Sequence, residues 1–320
     1  MIQAHNKIVG LANKLRLSDK SRGHLNTMRK EVVEGIRTFL QKYKNSEHNV
    51  WNITMKEEIK TGSLDRETAL EGVSDIDVII ALNYKRKDGG PAMPKSKDIL
   101  KIILSSVPDG YHSQRTKRSI KVSKKIKSGE KMKSITMDVV PVLVEVGNSP
   151  KPTTWWEGVS KVKSERGWVK LNPKHQKEIM KKLSRRKGQK DDPSALIICL
   201  KRWRDLQKNP PCELPSYILE VLVWEDYKNS QDENDLTRRF NRIMLKFERI
   251  HTKGVSFSKM MGESHRPKGL DPAVGVPLLH DPSNTSVNLV AHLSKQDVIW
   301  WAGKAKSASV KSVPFESVFP

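Results

Sequence analysis

The sequence has few cysteines, no long apolar run and too few acidic residues to balance its basic ones. The two cysteines, Cys199 and Cys212, are too few for a disulfide framework and lack the spacing of metal ligands. This scarcity favours a reducing compartment and argues against a structural zinc site built on cysteine.

Membrane insertion is not expected either. No stretch approaches the roughly eighteen consecutive apolar residues that a spanning helix needs. The N-terminal sequence MIQAHNKIVGLANKLRL lacks the continuous apolar core of a secretory signal. We therefore expect a soluble, cytoplasmic protein without a membrane partner. In a chain of 320 residues, an apolar fraction of 36% is low but sufficient for a core.

Basic residues dominate the charge balance. Lysine and arginine total 59 against 36 aspartates and glutamates, which gives a formal net charge of +23. This surplus exceeds what solubility needs and favours a polyanionic partner, such as nucleic acid or nucleotide phosphates. A merely basic soluble protein would have the same composition, so charge alone does not decide.

Hydrophobic periodicity divides the chain into an α/β half and a helical half. Helical spacing predicts an amphipathic helix over residues 28–44. Alternation predicts strands in NVWNITMKEEIKTGS and SDIDVIIALNY, and a hairpin in SIKVSKKIKSGEKMKSITMDVVPVLVEV. Four later segments have helical spacing: NPKHQKEIMKKLSRRK, PSALIICLKRWRDLQK, LPSYILEVLVWEDY and DLTRRFNRIMLKFERIH. The pattern predicts one domain over residues 1–160 and a helical domain over residues 161–320.

Two carboxylates stand on one side of a predicted core strand. Asp75 and Asp77 project from the same face because side chains alternate along a strand, and they lie about 7 Å apart. Such a pair repels and resists desolvation unless a cation neutralises it, and Mg²⁺ prefers hard oxygen ligands. Asp138 interrupts the apolar strand SITMDVVPVLVE in the same way. The three aspartates could hold two metal ions for phosphoryl transfer.

Gly62 and Ser63 precede the first pair by about a dozen residues. A glycine lets the backbone approach a phosphate, and a serine offers a hydroxyl and an amide. Each feature alone has a plainer explanation, because a D-x-D is commonly two solvent-facing residues at a strand end. The combination of the three features favours a nucleotide site.

The motifs GS, DID and MDVVPV resemble the signature of the DNA polymerase β-type nucleotidyltransferase superfamily. The segments LIICLKRWRD, LPSYILEVLVWE and HDPSNTSVNLV resemble the helical domain of the cGAS/DncV-like nucleotidyltransferase (CD-NTase) family, which is related to 2′-5′-oligoadenylate synthetase and cyclic GMP-AMP synthase. This resemblance covers roughly residues 28–308. It implies an α+β fold in two lobes: a catalytic core of mixed sheet and flanking helices, and a helical domain that completes the nucleotide-binding cleft.

The resemblance also implies roles for residues. It assigns catalysis and two Mg²⁺ or Mn²⁺ ions to Asp75, Asp77 and Asp138, with Asp138 as the general base. The implied nucleotide-binding residues are Gly62, Ser63, Lys201, Ser216 and Tyr217. Lysine suits a phosphate and an aromatic ring suits a base. Without the resemblance, such a lysine is commonly a solvated charge and such a tyrosine a core residue.

These roles imply an enzyme that joins nucleoside triphosphates (ATP, GTP or others) into a cyclic or short linear second messenger and releases pyrophosphate. The implied setting is antiviral or antiphage signalling. Two alternatives stay open: a template-independent RNA nucleotidyltransferase of the poly(A) or CCA-adding type, and an inactive relative that binds nucleic acid.

Lysine and arginine concentrate in RTKRSIKVSKKIKSGEKMK and KHQKEIMKKLSRRKGQK. Such runs are also typical of solvated surfaces. Their number nevertheless predicts a groove for nucleic acid, with RNA or DNA as activator or substrate. The candidate residues are Lys124, Lys125 and a set at helical spacing, Lys174, Lys177, Lys181 and Arg185.

Overall fold

A computed structural model shows a chain that divides into two units, Leu17–His175 and a second unit formed by Met1–Arg16 with Gln176–Pro320. The predicted boundary between residues 160 and 161 lies outside the described part of the chain and stays a prediction. The structure describes residues 2–46, 49–71, 75–90, 93–116, 118–128, 131–145, 154–158, 168–171, 192–230, 235–249, 280–281, 284–288 and 293–309.

Helices and strands alternate in the first half of the chain, and helices dominate the second half. In chain order the elements are α1 (Ile2–Leu15), α2 (Asp19–Asn45), β1 (Trp51–Thr61), α3 (Gly62–Asp65), β2 (Asp75–Arg86), α4 (Ser96–Ser105), β3 (His112–Arg115), β4 (Ile120–Ser128), β5 (Lys131–Glu145), β6 (Thr154–Gly158), β7 (Trp168–Leu171), α5 (Pro193–Asp205), α6 (Ser216–Asn229), α7 (Leu236–Glu248), β8 (His280–Asp281), β9 (Asn284–Asn288) and α8 (Lys295–Ser309).

The first unit contains a mixed sheet. Its strands follow the order β1-β2-β5-β4-β3, with β6 beside β5 and β7 beside β6. Strands β2 and β5 run parallel, whereas their other described neighbours in this sheet pair antiparallel. The long strand β5 pairs with β4 along its first part and with β6 near its end. The predicted strands, the hairpin and the mixed sheet are therefore confirmed.

Helix α2 forms because apolar residues recur on one face at helical spacing. Its N-terminus is capped by the Ser18 hydroxyl, which accepts a hydrogen bond from the Ser21 amide. The helix has 27 residues, so the predicted helix over residues 28–44 is its later part. Its buried apolar residues are Leu25, Met28, Val32, Val33, Ile36 and Leu40.

The sheet has two unlike faces because side chains alternate along its strands. On one face, Ile76 of β2 and Met137 and Val139 of β5 join the main core with residues of α2 and α4. The other face carries Asp77 and Asp138 and continues into a smaller apolar cluster of Ile59, Ile79, Ala81, Val142 and Val144. The carboxylates thus lie where this second face changes from polar to apolar.

The second unit packs its helices around buried tryptophans. The Trp203 ring on α5 meets the rings of Phe247 and Trp301 edge-on, with centroids 6.1 and 5.9 Å apart. A buried ion pair of 2.9 Å between Asp226 and Arg239 joins α6 to α7. The helices predicted for α5, α6 and α7 are confirmed, while the segment NPKHQKEIMKKLSRRK lies outside the described residues.

Both cysteines are free thiols, with Cys199 buried and Cys212 partly exposed. Burial raises the pKa of the Cys199 thiol to about 12, so this thiol stays protonated and unreactive at neutral pH. Among the helices that the structure describes, none is both long and apolar enough to cross a membrane.

Candidate active site

The register of β2 and β5 places Asp77 directly beside Asp138. Neighbouring strands lie about 4.8 Å apart, and the two side chains share one face, so their carboxylates are adjacent. Asp75 lies two residues earlier on β2, beside Thr136, and belongs to the same face by alternation. Its side chain is outside the description. The structure thus brings together the two strand positions that the sequence analysis selected separately.

Hydroxyl groups orient the Asp138 carboxylate. The Ser119 hydroxyl donates to Asp138 Oδ1 at 3.1 Å. Ser119 is buried, and its amide donates to the Thr116 hydroxyl at 3.0 Å. The turn before β4 therefore fixes the rotation of this carboxylate. Sequence reasoning missed Ser119, because a serine in front of a strand carries no signal of its own.

Gly62 brings the backbone of the Gly62–Ser63 turn against Asp77. It begins α3 with a φ of +76°, a conformation that favours glycine. A Cβ atom at this position would overlap the Oδ2 atom of Asp77. The neighbouring residue, Thr61, pairs with Asp77 in the β1–β2 register. The start of the Gly62–Ser63 turn therefore lies against Asp77, which in turn lies beside Asp138.

Glu71 holds the segment that follows α3. Its carboxylate accepts hydrogen bonds from the Ser18 amide and the Ser21 hydroxyl, each at 2.8 Å, and from Lys133 Nζ at 3.0 Å. Partial burial alone would raise the pKa of Glu71, but these hydrogen bonds outweigh it and lower the pKa to about 2. Glu71 is therefore ionised and ties the segment to the start of α2.

An open pocket of about 210 Å³ adjoins Asp77 on the β1 side. Its walls include Arg22 and Arg29 of α2 and Lys60 of β1. Arg29 forms an ion pair with Glu58. The walls also include Asp65 and Glu67, and Arg22 forms an ion pair of 3.7 Å with Glu67, so the pocket presents both positive and negative side chains next to Asp77.

The donor set fits a divalent cation. Asp77 and Asp138 present carboxylate oxygens side by side, the ligand type that Mg²⁺ and Mn²⁺ prefer. Among the side chains that the structure describes, no three histidines, cysteines, aspartates or glutamates form a metal-binding group. The described side chains therefore provide two candidate metal ligands, Asp77 and Asp138. The backbone position of Asp75 on β2 puts this residue on the same face of the sheet.

The predicted nucleotide-binding residues of the helical half lie on two neighbouring helices of the second unit. Lys201 on α5 is 3% exposed and forms an ion pair of 2.8 Å with Glu220 on α6. The hydroxyl of Ser216, the first residue of α6, accepts a hydrogen bond from Arg204 at 2.7 Å. Tyr217 follows it. Sequence reasoning missed Glu220 and Arg204, and the nucleotide-binding roles stay predictions.

The two described nucleic-acid candidates lie on opposite faces of β4. Lys124 contacts Glu31 at 3.4 Å, and its ammonium lies 4.7 Å from the centroid of the Tyr111 ring. The hydrogen bond from Tyr111 lowers the pKa of Glu31, which keeps this carboxylate ionised beside Lys124. Lys125 is exposed. The remaining candidates lie outside the described residues: Lys174, Lys177, Lys181 and Arg185.

Carboxylates on adjacent strands beside a Gly-Ser turn are the arrangement that the sequence analysis led us to expect of a nucleotidyltransferase of the polymerase β type. Residues 4–183 match the family model SMODS, the Second Messenger Oligonucleotide or Dinucleotide Synthetase domain. Because this match covers more than half of the chain, the protein belongs to the SMODS family of nucleotidyltransferases. The resemblance inferred from the sequence is confirmed. No curated protein matches the chain.

Solved CD-NTase structures share the fold. CdnC of E. coli MS115-1, with ATP, is 17% identical with a TM-score of 0.68, covering 96% of this chain and 90% of that one. E. coli DncV in its 3′-deoxy GTP bound form is 14% identical with a TM-score of 0.57, covering 95% of this chain and 90% of that one. Vibrio cholerae DncV, a cyclic AMP-GMP synthase in complex with the linear intermediate pppA(3′,5′)pG, is 14% identical with a TM-score of 0.56, covering 95% of this chain and 89% of that one.

Proposed function

We propose that this protein joins nucleoside triphosphates into a cyclic or short linear oligonucleotide second messenger and releases pyrophosphate. The observation that carries the proposal is the placement of Asp77 beside Asp138, with the Gly62 backbone packed against Asp77. The CdnC structure contains ATP, and the Vibrio cholerae DncV structure contains the linear intermediate pppA(3′,5′)pG. ATP and GTP are therefore the first substrates to test.

Asp75, Asp77 and Asp138 are the proposed ligands of Mg²⁺ or Mn²⁺, two ions in all. When bound, such ions neutralise charge on the phosphates and lower the pKa of an attacking hydroxyl. The carboxylates suit this role because they are adjacent across two strands and offer the oxygen ligands that these ions prefer. Two carboxylates held side by side repel each other, and a cation between them relieves this repulsion.

The chain's own residues orient the two reactants. The Gly62–Ser63 turn offers its backbone and the Ser63 hydroxyl to the triphosphate. Ser119 holds Asp138 in one orientation, and Asp138 is the proposed acceptor of the proton from the attacking hydroxyl. Lys201, Ser216 and Tyr217 are proposed to contact the phosphates and a base, as ammonium, hydroxyl and aromatic groups do elsewhere.

A signalling role in antiviral defence and activation by RNA or DNA belong to the same proposal. The net charge of +23 and the exposed Lys125 support contact with nucleic acid. Lys124 forms an ion pair with Glu31 at the surface and contributes less to this support.

The test is product analysis with protein freed of bound nucleic acid. Labelled ATP and GTP are incubated with Mg²⁺ or Mn²⁺, alone and with double-stranded RNA or DNA, and the products are identified by mass spectrometry. We expect small, phosphatase-resistant oligonucleotides. Lengthened RNA would instead indicate an RNA nucleotidyltransferase, and no product under any condition would indicate an inactive relative; either result contradicts the proposal.

A further inference from the structure

The sheet face that carries the aspartates also carries a row of lysines. In the β4–β5 register, Lys121 lies beside Asp138. Alternation then places Lys121, Lys125 and Lys127 on the face of the carboxylates, and all three are exposed. We call these three residues the lysine row. Because Lys125 is four residues from Lys121, it lies about 14 Å further along β4.

The other face of β4 has a different composition. Ile120 and Val122 are completely buried in the core with α2 and α4. Lys124, on that same face, is engaged with Glu31 and Tyr111. The three most exposed lysines of β4 therefore lie on the face of the aspartates. A row of cations leading away from an acidic site suits a ligand with several phosphates.

The order of the strands separates the two sides of the site. The Gly62–Ser63 turn and the arginine-lined pocket adjoin β1, whereas the lysine row lies on β4. Strands β2 and β5, with Asp77 and Asp138, stand between them. In phosphoryl transfer the attacking and leaving oxygens lie roughly in line on opposite sides of the phosphorus. If the cleaved triphosphate occupies the β1 side, the attacking nucleotide approaches from the β4 side.

We propose that the lysine row binds the phosphates of the acceptor, the nucleotide or linear oligonucleotide whose hydroxyl attacks the bound triphosphate. This inference rests on the function proposed above and adds a binding site to it. Lysine serves as a compact positive charge for phosphate and tolerates different ligand geometries. An acceptor that carries a 5′-triphosphate and an internucleotide phosphate reaches more of the row than a single nucleotide, so the row favours elongated intermediates.

The experiment compares the double variant Lys125→Gln/Lys127→Gln with the wild type. Lys121 is kept, because it stands beside Asp138. The matched control is Lys97→Gln/Lys101→Gln, which removes the same charge from exposed positions of α4, a helix packed with the opposite face of the sheet. Each protein is titrated against a fluorescent linear dinucleotide with a 5′-triphosphate at several salt concentrations, and product formation from ATP and GTP is measured in parallel.

We expect the Lys125→Gln/Lys127→Gln variant to bind the linear dinucleotide roughly tenfold more weakly, with a salt-dependence slope smaller by about 1.4, because two phosphate contacts are lost. The control should bind like the wild type. Equal binding by the variant and the control would overturn the lysine row as the acceptor site. Wild-type protein that binds the dinucleotide but makes no product would contradict the proposed function instead, so the two failures are distinguishable.

Discussion

At the scale of single residues, the tightest constraint on the site lies at Gly62. Its φ of +76° disfavours any side chain, and an added Cβ would overlap Oδ2 of Asp77. We predict that Gly62→Ala displaces the Asp77 carboxylate and lowers the turnover of nucleoside triphosphates by about tenfold or more, since small misplacements of reacting groups are costly. Initial rates of product formation measure this.

Gly89 provides the matched control for that substitution. It has the same φ of +76°, but nothing lies near the position that its Cβ would take. Gly89→Ala should therefore cost about 1 kcal/mol of stability through backbone strain and leave turnover unchanged. If both alanine variants kept wild-type turnover, the packing of Gly62 against Asp77 would have no catalytic importance.

The aspartates were predictable from the sequence, whereas the residues that orient the site were not. Asp77 and Asp138 stand out because each is a carboxylate in an apolar, β-branched strand. Glu71 is an ordinary exposed glutamate in the sequence, and its partner Ser18 lies 53 residues away. Glu220 can be recognised as the ion-pair partner of Lys201 only from the structure, in which α6 lies beside α5. Partners of this kind depend on tertiary contacts that local pattern does not contain.

At the scale of elements, the start of α2 anchors the segment between Ser63 and the strand β2. The Leu17 amide donates to the Ala69 carbonyl at 3.0 Å, and Glu71 accepts from Ser18. A carboxylate at the N-terminus of a helix is also favoured by the helix dipole. Hydrogen bonds therefore join the start of α2 to the segment that follows the Gly62–Ser63 turn, and Glu71 is the charged acceptor among them.

We predict that Glu71→Gln lowers the free energy of unfolding by about 1 kcal/mol at neutral pH, because it removes a charged acceptor from the helix start. The Glu71 side chain is 38% exposed, and solvent screening keeps the effect small. The folded pKa of about 2 lies below the usual 4.5, so the stabilisation is complete above pH 4.5 and disappears as the pH falls toward 2.

Denaturant unfolding of both proteins at neutral pH and at a series of acidic pH values measures this difference. We expect the wild type and Glu71→Gln to differ at neutral pH and to converge in acid. A difference that stayed constant across the acidic range would contradict the role of the Glu71 charge.

The strongly periodic elements were predictable, but their arrangement was not. Helix α2, strands β1 and β2, the β4–β5 hairpin and helices α5 to α7 each have enough repeating apolar positions to define their type. The parallel pairing of β2 with β5 depends on a connection through α4, β3 and β4. No local pattern specifies a register across that distance, although this register is what places Asp77 beside Asp138.

At the scale of the whole molecule, a basic protein carries the aspartates proposed for catalysis on the central strands of one sheet. The net charge of +23 is evident from composition and indicates a polyanionic ligand. Composition does not show which surface of the protein would bind that ligand. The structure gives part of this charge a described location beside Asp138, the lysine row on β4. This location suits phosphates of a nucleotide substrate.

The central claim is that Asp77 and Asp138 carry out nucleotidyl transfer. Quantitative mass spectrometry of the products from ATP and GTP, for the wild type, Asp77→Asn and Asp138→Asn, tests it most directly. Each variant preserves the size of the side chain, and a thermal unfolding curve confirms that it is folded. We predict that product formation falls by on the order of a hundredfold or more in both variants. Wild-type rates in a folded Asp77→Asn protein would contradict the claim.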